Sequence, residues 1–132
     1  MKRPLAGMVA GLLVLASAPA FSGDGPAFVT PNPVRRGKIL KVAAEGCVSG
    51  DPWTAYVEID LLRGGLAGTQ LVHREKLADD DGSTVFKVRL KKKKFKRGKH
   101  TATVECVHDF PMGGPGSYYD VFRHFRVKRA RS

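Results

Sequence analysis

The chain has only two cysteines, Cys47 and Cys106, and each lies in a stretch of alternating apolar residues. Leu40, Val42 and Ala44 precede the first; Ala102 and Val104 lead into the second. Alternation with period two marks strands that bury one face, so a bond between the thiols would staple two strands distant in sequence. The thiols are 59 positions apart. Closing a loop of that length stabilises by about 4 kcal/mol in the chain-entropy account, against a total of about 5–15 kcal/mol for a small domain. The alternatives are two free thiols or half a metal site. For the latter, no CxxC or HxxxH pairing supplies neighbouring ligands.

Such a bond needs an oxidising compartment, and the N-terminus reads as the route to one. Lys2 and Arg3 form a charged start, Leu5 to Ala16 are almost entirely apolar or small, and Ala18-Pro19-Ala20 offers small residues to a signal peptidase. Cleavage after Ala18 would leave a proline at the new terminus, so the expected cut follows Ala20. The apolar run is shorter than the ~20 residues of a membrane-spanning helix; an uncleaved anchor is the alternative. No cysteine follows it for lipid attachment, and no second apolar stretch suggests a membrane span after cleavage. The expected location is secreted, extracellular or associated with the cell envelope.

Removing 1–20 leaves 112 residues, enough for one modest domain. The whole chain's formal +11 becomes +9 once Lys2 and Arg3 leave. That balance favours anionic partners and selects none of them.

The mature chain divides into a flexible lead-in at 21–26, a domain at 27–127 and a basic tail at 128–132. Residues 28–34 read as an edge strand, because Pro31 and Pro33 cannot donate to an interior ladder. Leu40, Val42 and Ala44 point inward until Gly46 breaks the period, which predicts a bulge that turns Cys47 toward the core. After a loop at 48–54, Ala55, Val57, Ile59 and Leu61 form the next inward set. A glycine-rich loop at 63–69, a weaker strand at 70–76 and a turn at 79–83 follow. Phe86, Val88 and Leu90 then alternate, a basic connection runs from 91 to 99, and Ala102, Val104 and Cys106 face inward. A long loop is expected over 108–117 and a last strand over 118–127. Short strands at this spacing indicate an antiparallel sandwich or barrel.

Val29-Thr-Pro-Asn-Pro-Val-Arg-Arg-Gly37, Leu40-x-Val42-x-Ala44-x-Gly46-Cys47, Asp81-Gly82-Ser83 and Gly98-Lys-His-Thr-Ala-Thr-Val-Glu-Cys106 together resemble a secreted immunoglobulin-like domain of the kind common in actinobacterial proteins. The resemblance covers most of 27–127 and implies an all-β, immunoglobulin-like antiparallel β-sandwich of about seven strands with one disulfide between its sheets. The core tryptophan expected on the third strand is missing: Trp53 lies in the preceding loop, and Ile59 takes the core place. The corner tyrosine of such domains is replaced by His100, which can still hydrogen-bond backbone. A basic run stands where relatives often carry a proline-containing connection.

Loops of such a sandwich gather at its two ends. One end would collect Arg35, Arg36, Lys38, Lys91, Lys92, Lys93, Lys94, Lys96, Arg97, Lys99, Lys128, Arg129 and Arg131, a candidate polyanion-binding site that needs clustered cations but little shape. Phe95, inside the run, is available to stack or insert. The other end would join loops 48–54 and 108–117 above the disulfide and offers Trp53, Tyr56, Phe110, Met112, Tyr118 and Tyr119 to a protein or carbohydrate partner. The competing reading is that Trp53 and Tyr118 simply cover the disulfide.

No metal or cofactor is expected. Asp79-Asp80-Asp81-Gly82-Ser83 lacks the acid and the glutamate a calcium loop requires, and the four histidines share no ligand spacing. Catalysis finds no GxSxG, phosphate-cradling loop or HExxH. The expectation is a secreted, non-enzymatic binding or structural module that contacts an anionic surface polymer or glycan through its basic end, with a protein partner at the two far loops and nucleic acid not the expected ligand. The alternative is a cationic secreted effector that binds and perturbs membranes or nucleic acid, motivated by the mixed apolar and basic residues from Phe122 to Arg129.

Overall fold

In a computed structural model, described over residues 26–130, the apolar alternation resolves into eight strands: β1 (Ala27–Thr30), β2 (Val34–Arg35), β3 (Ile39–Glu45), β4 (Thr54–Arg63), β5 (Gln70–Leu77), β6 (Ser83–Arg89), β7 (Gly98–Phe110) and β8 (Gly114–Lys128). The expected leader at 1–20, nearly all of the expected lead-in, and Arg131 lie outside the described residues. No helix of the described residues is long and apolar enough to cross a membrane. A three-stranded sheet, β1-β3-β6, faces a five-stranded sheet, β2-β8-β7-β4-β5. Every pairing is antiparallel except that of β2 with β8.

The inward residues expected from alternation form one apolar layer between the sheets. Leu40, Val42, Phe86 and Val88 of the small sheet meet Val57, Ile59, Leu61, Val104 and Phe125 of the large one. Burying each such side chain stabilises by about 1.5–3 kcal/mol. Gly46, at φ 75°, ends β3 with a left-handed turn, its N–H donating to Gly82 O at 2.7 Å. That turn aims Cys47 inward, just past β3 rather than at a bulge within it. Cys47 is bonded to Cys106 on β7, with 5.7 Å between their α-carbons. The crosslink therefore ties the end of the small sheet to the middle of the large one.

The first strand does not run unbroken from 28 to 34. After Thr30 the chain leaves the small sheet and joins the large one at Val34. Pro31 and Pro33 have no N–H to offer, and the Asn32 side chain takes over. Its Oδ1 accepts from the Arg126 N–H at 3.0 Å and its Nδ2 donates to His124 O at 3.4 Å, holding the crossover to β8.

Each outer edge of the small sheet is met by one long cation from the large sheet. Lys76 of β5 donates to Val85 O on β6 at 2.6 Å and covers the Phe86 ring. Arg123 of β8 donates from Nε to Ala27 O on β1 at 2.8 Å. Unpaired strand edges invite pairing with other chains; these two side chains occupy acceptors that such pairing would use.

The expected loop at 108–117 is instead the continuation of a hairpin, Phe110 pairing Gly114 and Asp109 pairing Pro115. Its glycines and prolines read as loop in isolation, but β8 has no outer strand neighbour over this stretch, and an edge tolerates Pro115. A register shift at Cys106/Val107 inserts Tyr118 as an extra residue. Lys128, expected in a frayed tail, closes β8 opposite Arg35.

Candidate functional site

The basic segments meet at one end because the strand order places their turns side by side. Arg36 N–H donates to Lys128 O at 3.0 Å, Gly37 N–H to Leu90 O at 2.6 Å, and Leu90 N–H back to Lys38 O at 2.9 Å. Arg35 Nη1 reaches Arg129 O at 3.4 Å. The 91–94 run is stitched to the neighbouring strands: Lys94 Nζ donates to Leu71 O and receives Arg63 Nη2 at its own carbonyl, both at 3.1 Å. Lys96, Arg97 and Lys99 are exposed on the same connection. Stretches 25–44, 61–74, 82–104 and 121–132 contain no Asp or Glu, and these are the stretches that reach this end. Among the described residues no Lys or Arg lies within 4.0 Å of a carboxylate; the ion pairs there are both made by His73.

Phe95 is not a free stacking surface. The Lys94 and Phe95 N–H groups both donate to Lys91 O, closing one tight turn, and the Phe95 ring is fully buried. It therefore anchors the basic run to the core. Its ring lies 5.6 Å from His100, which lies 5.6 Å from Phe125. Burial pushes the His100 imidazole below its ordinary pKa. Its Nδ1 meets Gly98 O at 3.2 Å, a backbone contact from the place of the corner tyrosine, while the buried Nε2 has no partner.

At the opposite end, His108 is stacked between Trp53, 5.2 Å away, and Tyr118, 4.4 Å away, with Phe110 beside Trp53. Phe110, Met112 and Tyr118 are exposed on the end of the β7–β8 hairpin, Met112 almost entirely. Tyr118 does not cover the disulfide: Tyr119, paired with Cys106, packs on the core and donates its hydroxyl to Glu45 O at 2.9 Å. Burial raises the pKa of that hydroxyl. Trp53 packs on the core from its loop. Tyr56 leaves this group, pointing from the outer face of β4 with Val107 and Leu77 as cross-strand neighbours.

Two features of the outer faces were invisible in the linear sequence. Register places Glu75, Glu58, Glu105 and Asp120 in one row across β5, β4, β7 and β8. Beside it, Asp60 on β4 faces His73 on β5, Oδ1 to Nδ1 at 2.7 Å. A groove of about 280 Å³ runs along the row, lined by Glu58, Asp60, Leu66, Thr103, Glu105, Asp120, Val121 and Phe122. Burial first, and then the Glu75 and Glu105 carboxylates, hold the Glu58 carboxyl above its usual range. The Asp60 hydrogen bond is the main cause that raises His73. Glu58, His73 and Glu75 present ligating atoms within 4.8 Å of one another, a donor set of the kind that takes a divalent cation. The outer face of the small sheet is opposite in sign: Lys41 and Lys87 stand directly across from each other, with Arg89 two residues further along β6.

No protein-family model and no curated protein sequence matches this chain.

Proposed function

We propose that the protein is a secreted, non-enzymatic immunoglobulin-like module that holds an anionic envelope or extracellular polymer at its basic end. Support for the immunoglobulin-like reading comes from the strand order, from a first strand that changes sheets to run parallel to the last, and from the disulfide between sheets. The observation that carries the binding reading is the meeting of acid-free basic segments through backbone hydrogen bonds, with no Lys or Arg among the described residues there paired to a carboxylate. Fixed turns present the cations together before any ligand arrives, which lowers the ordering cost of binding. A polyanion then gains affinity by releasing its counterions.

The membrane-perturbing alternative loses the segment that motivated it as a free amphipathic stretch, because Phe125 and Val127 are buried in the core. The test is retention on immobilised anionic polymer across a salt series. Replacing Lys91–Lys94 by serine should weaken retention and flatten its salt dependence. Unchanged retention removes the basic end from the reading.

A further inference from the structure

The outer face of the three-stranded sheet carries cations that the basic end does not include. Lys41 on β3 and Lys87 on β6 are direct cross-strand partners, and both are exposed. Like charges placed directly opposite destabilise a sheet, and no acid on neighbouring positions relieves this pair. The nearest acid of β3, Glu45, lies at the far end of the strand and is bonded to Ser83. Arg89 continues the line from Lys87 on the same face of β6, its Nη1 fixed on Gly37 O at 2.8 Å. The Lys92 stem passes over Gly37, its Cε 3.5 Å from where a β-carbon would stand. Lys41 and Lys87, then Arg89, then Lys92 therefore form a continuous cationic line from the middle of the small sheet to the basic end.

We infer that this line is a track for a phosphodiester polymer without bases, such as a polyol-phosphate chain, and that Lys41 and Lys87 are binding residues. This rests on the basic-end reading and extends it. Same-face residues of a strand repeat about every 6.5–7 Å. From one α-carbon to the next on that face the backbone has as many bonds as a phosphodiester chain has from phosphorus to phosphorus through a three-carbon bridge. A chain laid along β6 therefore meets one cation per phosphate at Lys87 and Arg89, with Lys41 reaching the same phosphate as Lys87. Glycans charged on every sugar, such as polygalacturonate, have a shorter repeat and those charged on alternate sugars a longer one, so both match only part of the line. Bases would need a row of aromatic platforms; Phe95 of the basic run is buried, and Phe28 on β1 is the one partly exposed ring among the described strand positions of this face. On the opposite side of the molecule the row Glu75, Glu58, Glu105, Asp120 repels the polymer and leaves it this one face.

The test is binding of a fluorescent poly(glycerol phosphate), a polygalacturonate and a single-stranded oligonucleotide, matched in charge, each across a salt series. The variant Lys41→Thr/Lys87→Thr changes only exposed strand positions and keeps strand-forming residues there. It should flatten the log–log salt slope for poly(glycerol phosphate) by about 0.7, the loss of the one phosphate that Lys41 and Lys87 share on a flexible chain, and should leave the polygalacturonate slope less changed. The Lys91–Lys94 serine variant run in parallel separates the two claims. If that variant weakens binding and Lys41→Thr/Lys87→Thr does not, the track is wrong and the basic end stands. If neither changes binding, both fall. Equal slope losses on polygalacturonate overturn the match to the phosphate repeat, and tighter binding of the oligonucleotide overturns the choice of a chain without bases.

Discussion

The two outer faces of this sandwich break the same rule with opposite signs. The small sheet sets Lys41 against Lys87, and the large sheet sets Glu58 between Glu75 and Glu105. Each arrangement costs stability in the free protein, because like charges directly opposite repel. On the large sheet His73, held by Asp60, offsets part of the repulsion. On the small sheet none of the described residues at neighbouring strand positions does so. The face left without an internal counter-charge continues into the basic end, so external anions are the remaining source of relief. The acidic face is partly neutralised from within and shares its groove with the apolar Leu66 and Phe122. An otherwise basic chain has thus lined up four carboxylates on the face opposite Lys41 and Lys87.

The largest test of this two-faced arrangement is the covalent tie between the sheets that bear the faces. Replacing both Cys47 and Cys106 by alanine should lower unfolding free energy by about 2–4 kcal/mol, read from the urea midpoint; a loss below about 1 kcal/mol would mean that apolar burial alone holds the faces in place.

A pH series asks next whether the two regions titrate in opposite directions. His100 is depressed by burial below 6.5. Below 6.5 the unfolded chain therefore binds a proton that the native state refuses, and stability falls until the lowered native pKa is reached. His73 is raised above 6.5, so its contribution is complete below 6.5 and disappears as pH rises through the native value. Urea unfolding of His100→Phe should show less acid loss than the parent, and His73→Gln should lose the acid-side gain. Parallel shifts in both variants would contradict the assignment.

Arg123→Ala should cost about 1 kcal/mol through the lost hydrogen bond to Ala27 O, measured by thermal unfolding. The smallest effect is the sharpest comparison of the faces: Glu58→Gln should stabilise by a few tenths of a kcal/mol and Lys87→Thr by less, since Glu58 has two like neighbours and Lys87 one. A loss in either variant would show that the repulsion is already screened.

Much of this was legible from residue order, and the missing parts share one cause. Alternation placed Val57, Ile59, Val104 and Cys106 inward because a strand's period is a local property. The meeting of residues 35–38, 91–99 and 128–129 followed once strands were ordered. Register is different, since it arises between strands. Glu58, Glu75, Glu105 and Asp120 each look like an ordinary outward residue in their own segments, and only pairing lines them up. Phe95 was hidden by its lysine neighbours, whose composition reads as solvated coil although one ring pins the run to the core. The hairpin at 108–117 was masked by its glycines and prolines, because the partner strand supplies its order.

The opposed ends also fix how this protein can be handled. Ala27 pairs Ala44 near the disulfide, while Lys128 leaves beside Arg35. A tether or fusion joined upstream of β1 is thus held remote from the cations, which point away from the support like the business end of a probe. The same tether joined after β8 emerges among them and blocks access. Immobilised in the two orientations, the protein becomes its own control: one surface should capture polymer and the other should not.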